Sequence, residues 1–172
     1  MIDTVIDTGR LTLRPEAEED RAAFRALVSD REVIEYCAVW PHPPVEEVVT
    51  ARFLSLDPAR GWRLSILEGG RYLGRVTLVD GSLGLMIARE HWGRGVAREA
   101  ATALIAHAFR TRPGLEAIEA GHFEANVASA WLLAGLGFRE TARVTRPSRL
   151  HGHDLPGVEL VLTRADWQAS HG

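Results

Sequence analysis

At 172 residues, with 46% hydrophobic and 25% charged residues and a net charge of −3, the chain fits one soluble globular domain over 1–172. The slight acidity argues against nucleic acid as a main partner and mildly favours cationic substrates. Cys37 is the only cysteine, which excludes an internal disulfide, and no apolar run approaches the length of a membrane span. The opening MIDTVIDTG carries no basic segment or long apolar core, so a signal peptide is not expected and the cytoplasm is the default location. All basic residues apart from histidine are arginine, which leaves no lysine side chain to acetylate on the protein itself.

In chain order, Arg10 to Arg14 alternates and predicts a first strand. Pro15 with Glu16, Glu18, Glu19 and Asp20 opens a helix, where carboxylates suit the N-terminal dipole, and Phe24, Leu27 and Val28 give its buried face. Residues 31 to 43 read as irregular. Pro44, Glu46 and Glu47 open a second helix with a stripe of Val45, Val48, Val49, Phe53 and Leu56. Trp62–Leu67 and Tyr72–Val79 are strands joined at Gly69-Gly70, a strong hairpin signal. A tight turn at Asp80-Gly81 leads into the apolar run Leu83–Ala88. Glycines then punctuate His91-Trp92-Gly93-Arg94-Gly95, and a long helix follows. Its apolar residues Val96, Ala97, Ala100, Ala101, Leu104, Ile105, Ala108 and Phe109 recur at helical spacing. Glu116–Phe123 is the next strand, Asn126–Leu136 a short helix, and Phe138–Arg146 and Val158–Thr163 the last two strands. His151-Gly-His153-Asp154 falls in the turn between these two. It lacks a complete zinc spacing, and no metal site is expected.

The junction of strand, glycine turn and long helix carries the chemistry. A helix start presents unpaired N–H groups and a partial positive charge. Gly93 and Gly95 bring no side chain to block an anion, and no Ser, Thr, Asp or Asn stands at the N-cap. Residues Gly93 to Arg98 therefore read either as a phosphate cradle or as a ligand-free turn eased by glycine. A dinucleotide fingerprint would need Gly or Ala at Arg98, and no Walker A string exists in the chain, so nucleotide-binding oxidoreductase and P-loop readings are disfavoured.

The segment His91–Ala100, HWGRGVAREA, resembles the acyl-CoA loop of the GNAT acyltransferase superfamily, in the form found in its RimJ/RimL-type branch. Arg10-Leu-Thr-Leu-Arg-Pro15, Asn126-x-x-Ser129 with Leu136-Gly137-Phe138, and Leu162-Thr-Arg-Ala-Asp-Trp167 are similar to other stretches of that branch. The resemblance spans a core of about residues 9–168. It implies an α/β (α+β) GNAT fold of order β-α-α-β-β-β-α-β-α-β-β, with a mixed sheet of about seven strands splayed between the fourth and fifth. It also implies acetyl-CoA as acyl donor and an amine acceptor, either a protein N-terminus or a small molecule. No membrane partner is implied, and homodimers are common in the branch.

By position, the resemblance implies that main-chain groups of Leu85, Met86 and Ile87 bind the pantetheine arm and thioester. The N–H groups of Gly93, Arg94, Gly95, Val96, Ala97 and Arg98 would bind the pyrophosphate, and Asn126 would reach pantetheine or cap its own helix. Many relatives carry a glutamate base and a tyrosine acid where this chain has Gly121 and Leu133. Ser129 is then the candidate to protonate the leaving thiolate. His122 and Glu124, on one face of their strand by alternation, are candidate bases. Tyr36 and Trp40 are candidate walls of an amine site, with hydrophobic packing of their loop the equal alternative. The expected activity is N-acetyl transfer, with a CoA-binding module of little transferase activity as the alternative.

Overall fold

The computed structural model describes residues 4–53 and 56–171. The stretch read for a signal peptide begins at residues 1–3, which lie outside the described residues. The elements are β1 (Ile6–Asp7), β2 (Thr12–Pro15), α1 (Arg21–Ser29), α2 (Arg31–Ile34), α3 (Glu46–Ala51), β3 (Gly61–Glu68), β4 (Arg71–Val79), β5 (Ser82–Ile87), α4 (Val96–Thr111), β6 (Ala117–Phe123), α5 (Val127–Gly135), β7 (Arg139–Ser148), β8 (His153–Thr163) and α6 (Arg164–His171). The strands form one sheet in the order β1-β2-β3-β4-β5-β6-β8-β7. Every neighbouring pair is antiparallel except β5 and β6, which are joined through the α4 crossover and run parallel.

The expected order of elements holds, with additions at places where the sequence pattern is short. The sheet has eight strands rather than seven, because Ile6 and Asp7 pair with Leu13 and Thr12. A two-residue strand carries no alternation to read. The single turn of α2 interrupts the stretch read as irregular, and its N-cap Asp30 accepts from the Glu32 N–H at 3.0 Å. The second helix ends at Ala51, although Phe53 beyond it is buried as its stripe requires. The last hairpin is longer than read: β8 begins at His153, so only His151 of the two histidines stays in the turn.

Alternation gives the sheet two distinct faces. Leu13, Ile66, Val76, Leu78, Leu83, Ile87, Ile118, Ala120, Leu160 and Leu162 face α4, whose Val96, Ala100, Ala101, Leu104, Ile105, Ala108 and Phe109 are all buried against them. Leu133 of α5 and Trp167 of α6 join the same core. The other face carries a second cluster under α1, α2 and α3, built on Phe24, Leu27, Val28, Ile34, Trp40, Val49 and Phe53, with Tyr72, Met86 and Ala88 packed against it. The sheet is polar beneath part of this cluster. Arg75 pairs with Glu16 at 2.8 Å and lies over the Phe24 ring, and Ser65 Oγ donates to Asp20 at 2.7 Å.

Candidate active site

The site begins where the sheet comes apart. β5 and β6 pair only at Ser82 and Glu119, with the Glu119 N–H donating to the Gly81 carbonyl at 2.8 Å. Beyond that point the two strands diverge, and Leu83–Ile87 and Ala120–Phe123 line opposite walls of a cavity of about 670 Å³. The direction of the free main-chain groups follows from the β4 ladder. Ala88 donates to the Leu73 carbonyl at 2.8 Å, and Gly74 stands opposite Ile87. Alternation of hydrogen-bonded pairs then turns the main chain of Met86 toward β4, and that of Leu85 and Ile87 toward the gap. The Trp92 indole takes the Ile87 carbonyl at 2.8 Å, which leaves the Ile87 N–H and both groups of Leu85 facing the slot. Met86 reaches the cavity through its side chain, alongside the helical cluster.

At the mouth of the slot stands the start of α4. Gly95 is the N-cap in a left-handed conformation (φ 76°), with no side-chain capping bond, and Gly93 is also left-handed (φ 72°). A Cβ at either glycine would meet open space, so the bend is open at both glycines, and the first N–H groups of α4 have no intrahelical partner. Gly93, Gly95, Val96, Ala97 and Arg98 all line the cavity. The two arginines of the loop are occupied elsewhere. Arg94 donates to Glu68 at 2.7 Å and to His91 Nδ1 at 3.0 Å. Arg98 donates to the Gly135 carbonyl at 3.1 Å, closing the C-terminal end of α5 where a cation suits the dipole. Because Arg94 can only donate, the neutral His91 ring carries its proton on Nε2, which is buried without a hydrogen-bond partner, 3.8 Å from Glu90 Oε1.

Ser129, Asn126 and His122 line the α4 side of the cavity, brought there by α5 and the end of β6. Asn126 Oδ1 accepts from the Ser129 N–H at 3.1 Å and so caps α5, with its amide NH₂ left over. His122 is buried, and its Nδ1 lies 2.8 Å from the Phe123 carbonyl. A carbonyl only accepts, so the neutral ring holds its proton on Nδ1 and a lone pair on Nε2. Glu124 does not share this place. β6 ends at Phe123, the alternation ends with it, and the exposed Glu124 carboxylate pairs with Arg143 outside the cavity. Tyr36 lines the far side of the cavity. Trp40 does not: it is 3% exposed and packs edge-on to Phe24 at 5.6 Å.

Sequence reasoning missed the Trp92 indole bond and the half-buried Arg146 of β7, which lines the cavity from the face opposite α4. No motif marks Arg146; only the register of β7 on β8 brings it there. Among the described residues no group of three or more His, Cys, Asp or Glu is arranged to hold a metal ion.

A parallel crossover with a bare helix start facing a splayed sheet is an arrangement suited to an anionic, extended ligand. Residues 10–139 match the acetyltransferase (GNAT) domain family. The chain is 31% identical over 145 residues to the uncharacterized N-acetyltransferase p20 of Bacillus licheniformis, covering 77% of this chain and 81% of that protein. The chain therefore belongs to the GNAT acetyltransferase family. Among solved structures the fold is similar to spermidine N-acetyltransferase from Vibrio cholerae in complex with CoA and spermine (TM-score 0.78, 19% identity, 94% of this chain and 99% of that one). It is also similar to Mycobacterium smegmatis RimJ in complex with CoA-disulfide (TM-score 0.74, 20% identity, 96% and 90%).

Proposed function

We propose that the protein transfers the acetyl group of acetyl-CoA to a primary amine. The observation that carries this reading is the continuity of two main-chain features: the uncapped glycine bend at the start of α4, and the slot where β5 has lost its neighbour. The bend suits a diphosphate, held by the N–H groups of Gly93 to Arg98. The slot suits an extended amide-bearing arm, which bonds to Leu85 as an added strand would and brings the thioester to the Ile87 N–H. The Asn126 NH₂, not used in capping α5, would meet the same arm.

An alkyl ammonium has a pKa near ~10 and an α-ammonium near ~8, so a proton must leave before attack. His122 Nε2 accepts it, directly or through a water. The amine nitrogen then forms a bond to the thioester carbonyl carbon, and the Ile87 N–H holds the oxyanion. The C–S bond breaks as the carbonyl re-forms; the nitrogen gives up its second proton, and the Ser129 hydroxyl relays it to the sulfur, accepting one proton as it donates its own, so that CoA leaves as the thiol and the amide is neutral. With a thiol pKa of about 8.5 the leaving group needs little acid help. The test is thiol release from acetyl-CoA on addition of an amine panel; release that depends on amine supports transfer.

A second reading, a CoA-binding module with little turnover, draws on Gly121 and Leu133 standing where an acid–base pair is common in relatives, and on the engagement of Glu124 by Arg143. Tight CoA binding without amine-dependent thiol release would favour it.

A further inference from the structure

We infer that the acceptor is an anionic amine, one bearing a carboxylate close to its primary amino group, and that Arg146 binds that carboxylate. This rests on the acetyl-transfer reading above and adds the substrate class. Three observations carry it. First, Arg146 is half-buried in the cavity wall, and among the described residues no acceptor lies within hydrogen-bond or ion-pair distance of its guanidinium. Three carboxylates at this end are engaged by other partners: Glu32 by Arg89, Glu35 by His151 at 3.0 Å, Glu124 by Arg143. A half-buried arginine without a carboxylate is a charge in want of a partner.

Second, the sheet makes room for it. A Cβ on Gly121 would collide with the guanidinium, and a Cβ on Gly157 with the Arg146 Cγ and Cδ. The side chain lies flat over two neighbouring strands where any other residue would lift it away. Third, it lies on the right face. Gly121 and Gly157 alternate with His122 and Val158, so Arg146 is on the α1–α3 side of the sheet, whereas the start of α4 is on the other. The splay joins the two faces. A donor seated at the α4 bend leaves the Arg146 side, walled by Val33, Tyr36 and Cys37, to the acceptor. The local cation there overrides the weak preference for cationic substrates that net charge suggests. A guanidinium beside the ammonium also lowers its pKa and so favours the nucleophilic form.

The test uses the whole protein, acetyl-CoA and matched acceptors: L-amino acids, their α-carboxamides, tripeptide amides with Asp or Asn at the second position, and spermidine. Thiol release should favour the carboxylate member of a pair by about ten- to a hundredfold in kcat/KM, the worth of a charge-assisted hydrogen bond. The free amino acids and the Asp tripeptides separate a metabolite source from a peptide one. Arg146→Gln should abolish the preference with CoA affinity unchanged, and Arg146→Lys should restore part of it. Equal rates on acids and amides, or spermidine as the best acceptor, would overturn the inference while leaving acetyl transfer intact. No release with any amine would overturn both.

Discussion

Ser129 and His122 come to the cavity from different elements, and their variants should fail differently. Ser129→Ala removes a proton relay for a leaving group that needs little help, so kcat should fall by about tenfold, less than the hundredfold or more typical of acid–base effects, with CoA affinity unchanged. His122→Asn should cost more with alkyl amines than with α-amines, because the deprotonation it serves is harder for the former. Steady-state rates on both amine types check this; equal losses would remove His122 from the proton path. Trp40 is a packing residue by position, so Trp40→Ala should act on stability, by about 3–5 kcal/mol in chemical denaturation.

Between β2 and α1, the buried Asp20 carboxylate accepts from Arg14, from the Ala17 N–H at 3.0 Å and from Ser65. Burial by itself would raise its pKa, but these bonds together outweigh burial and hold it below the ordinary value of 3.8. Its stabilising contribution is therefore present above the unfolded pKa and lost as pH falls through the lower folded one. The urea midpoint of the wild type should drop as pH is taken below about 4, with that part of the drop absent in Asp20→Asn. On α4, Leu104→Ala should cost about 2–5 kcal/mol, since Leu104 is fully buried. The helical period made α4 legible from sequence, as the glycine pair made the β3–β4 turn, where Gly69 and Gly70 are both left-handed. The short β1 and α2 were not legible, because two to four residues hold no period. Glu124 was placed with His122 by an alternation that stops one residue too soon to include it.

Across the whole molecule, the order of elements and the bare helix start could be read from local pattern, since both depend on neighbours in sequence. The acceptor end could be read only in part. Tyr36 and His122 are candidates from sequence, but Arg146 joins them on the lining of one cavity through β7–β8 register, which leaves no mark in a linear motif. No helix among the described residues is long and apolar enough to cross a membrane. The account stands on the N–H groups that follow Trp92 holding a diphosphate, and titration calorimetry with CoA and with pantetheine tests this most directly. CoA should bind far more tightly than pantetheine. Gly95→Asp, which sets a carboxylate in the bend, should weaken CoA by about tenfold or more and pantetheine little. Equal affinity of the wild type for the two ligands, or an unchanged CoA affinity in Gly95→Asp, would contradict it.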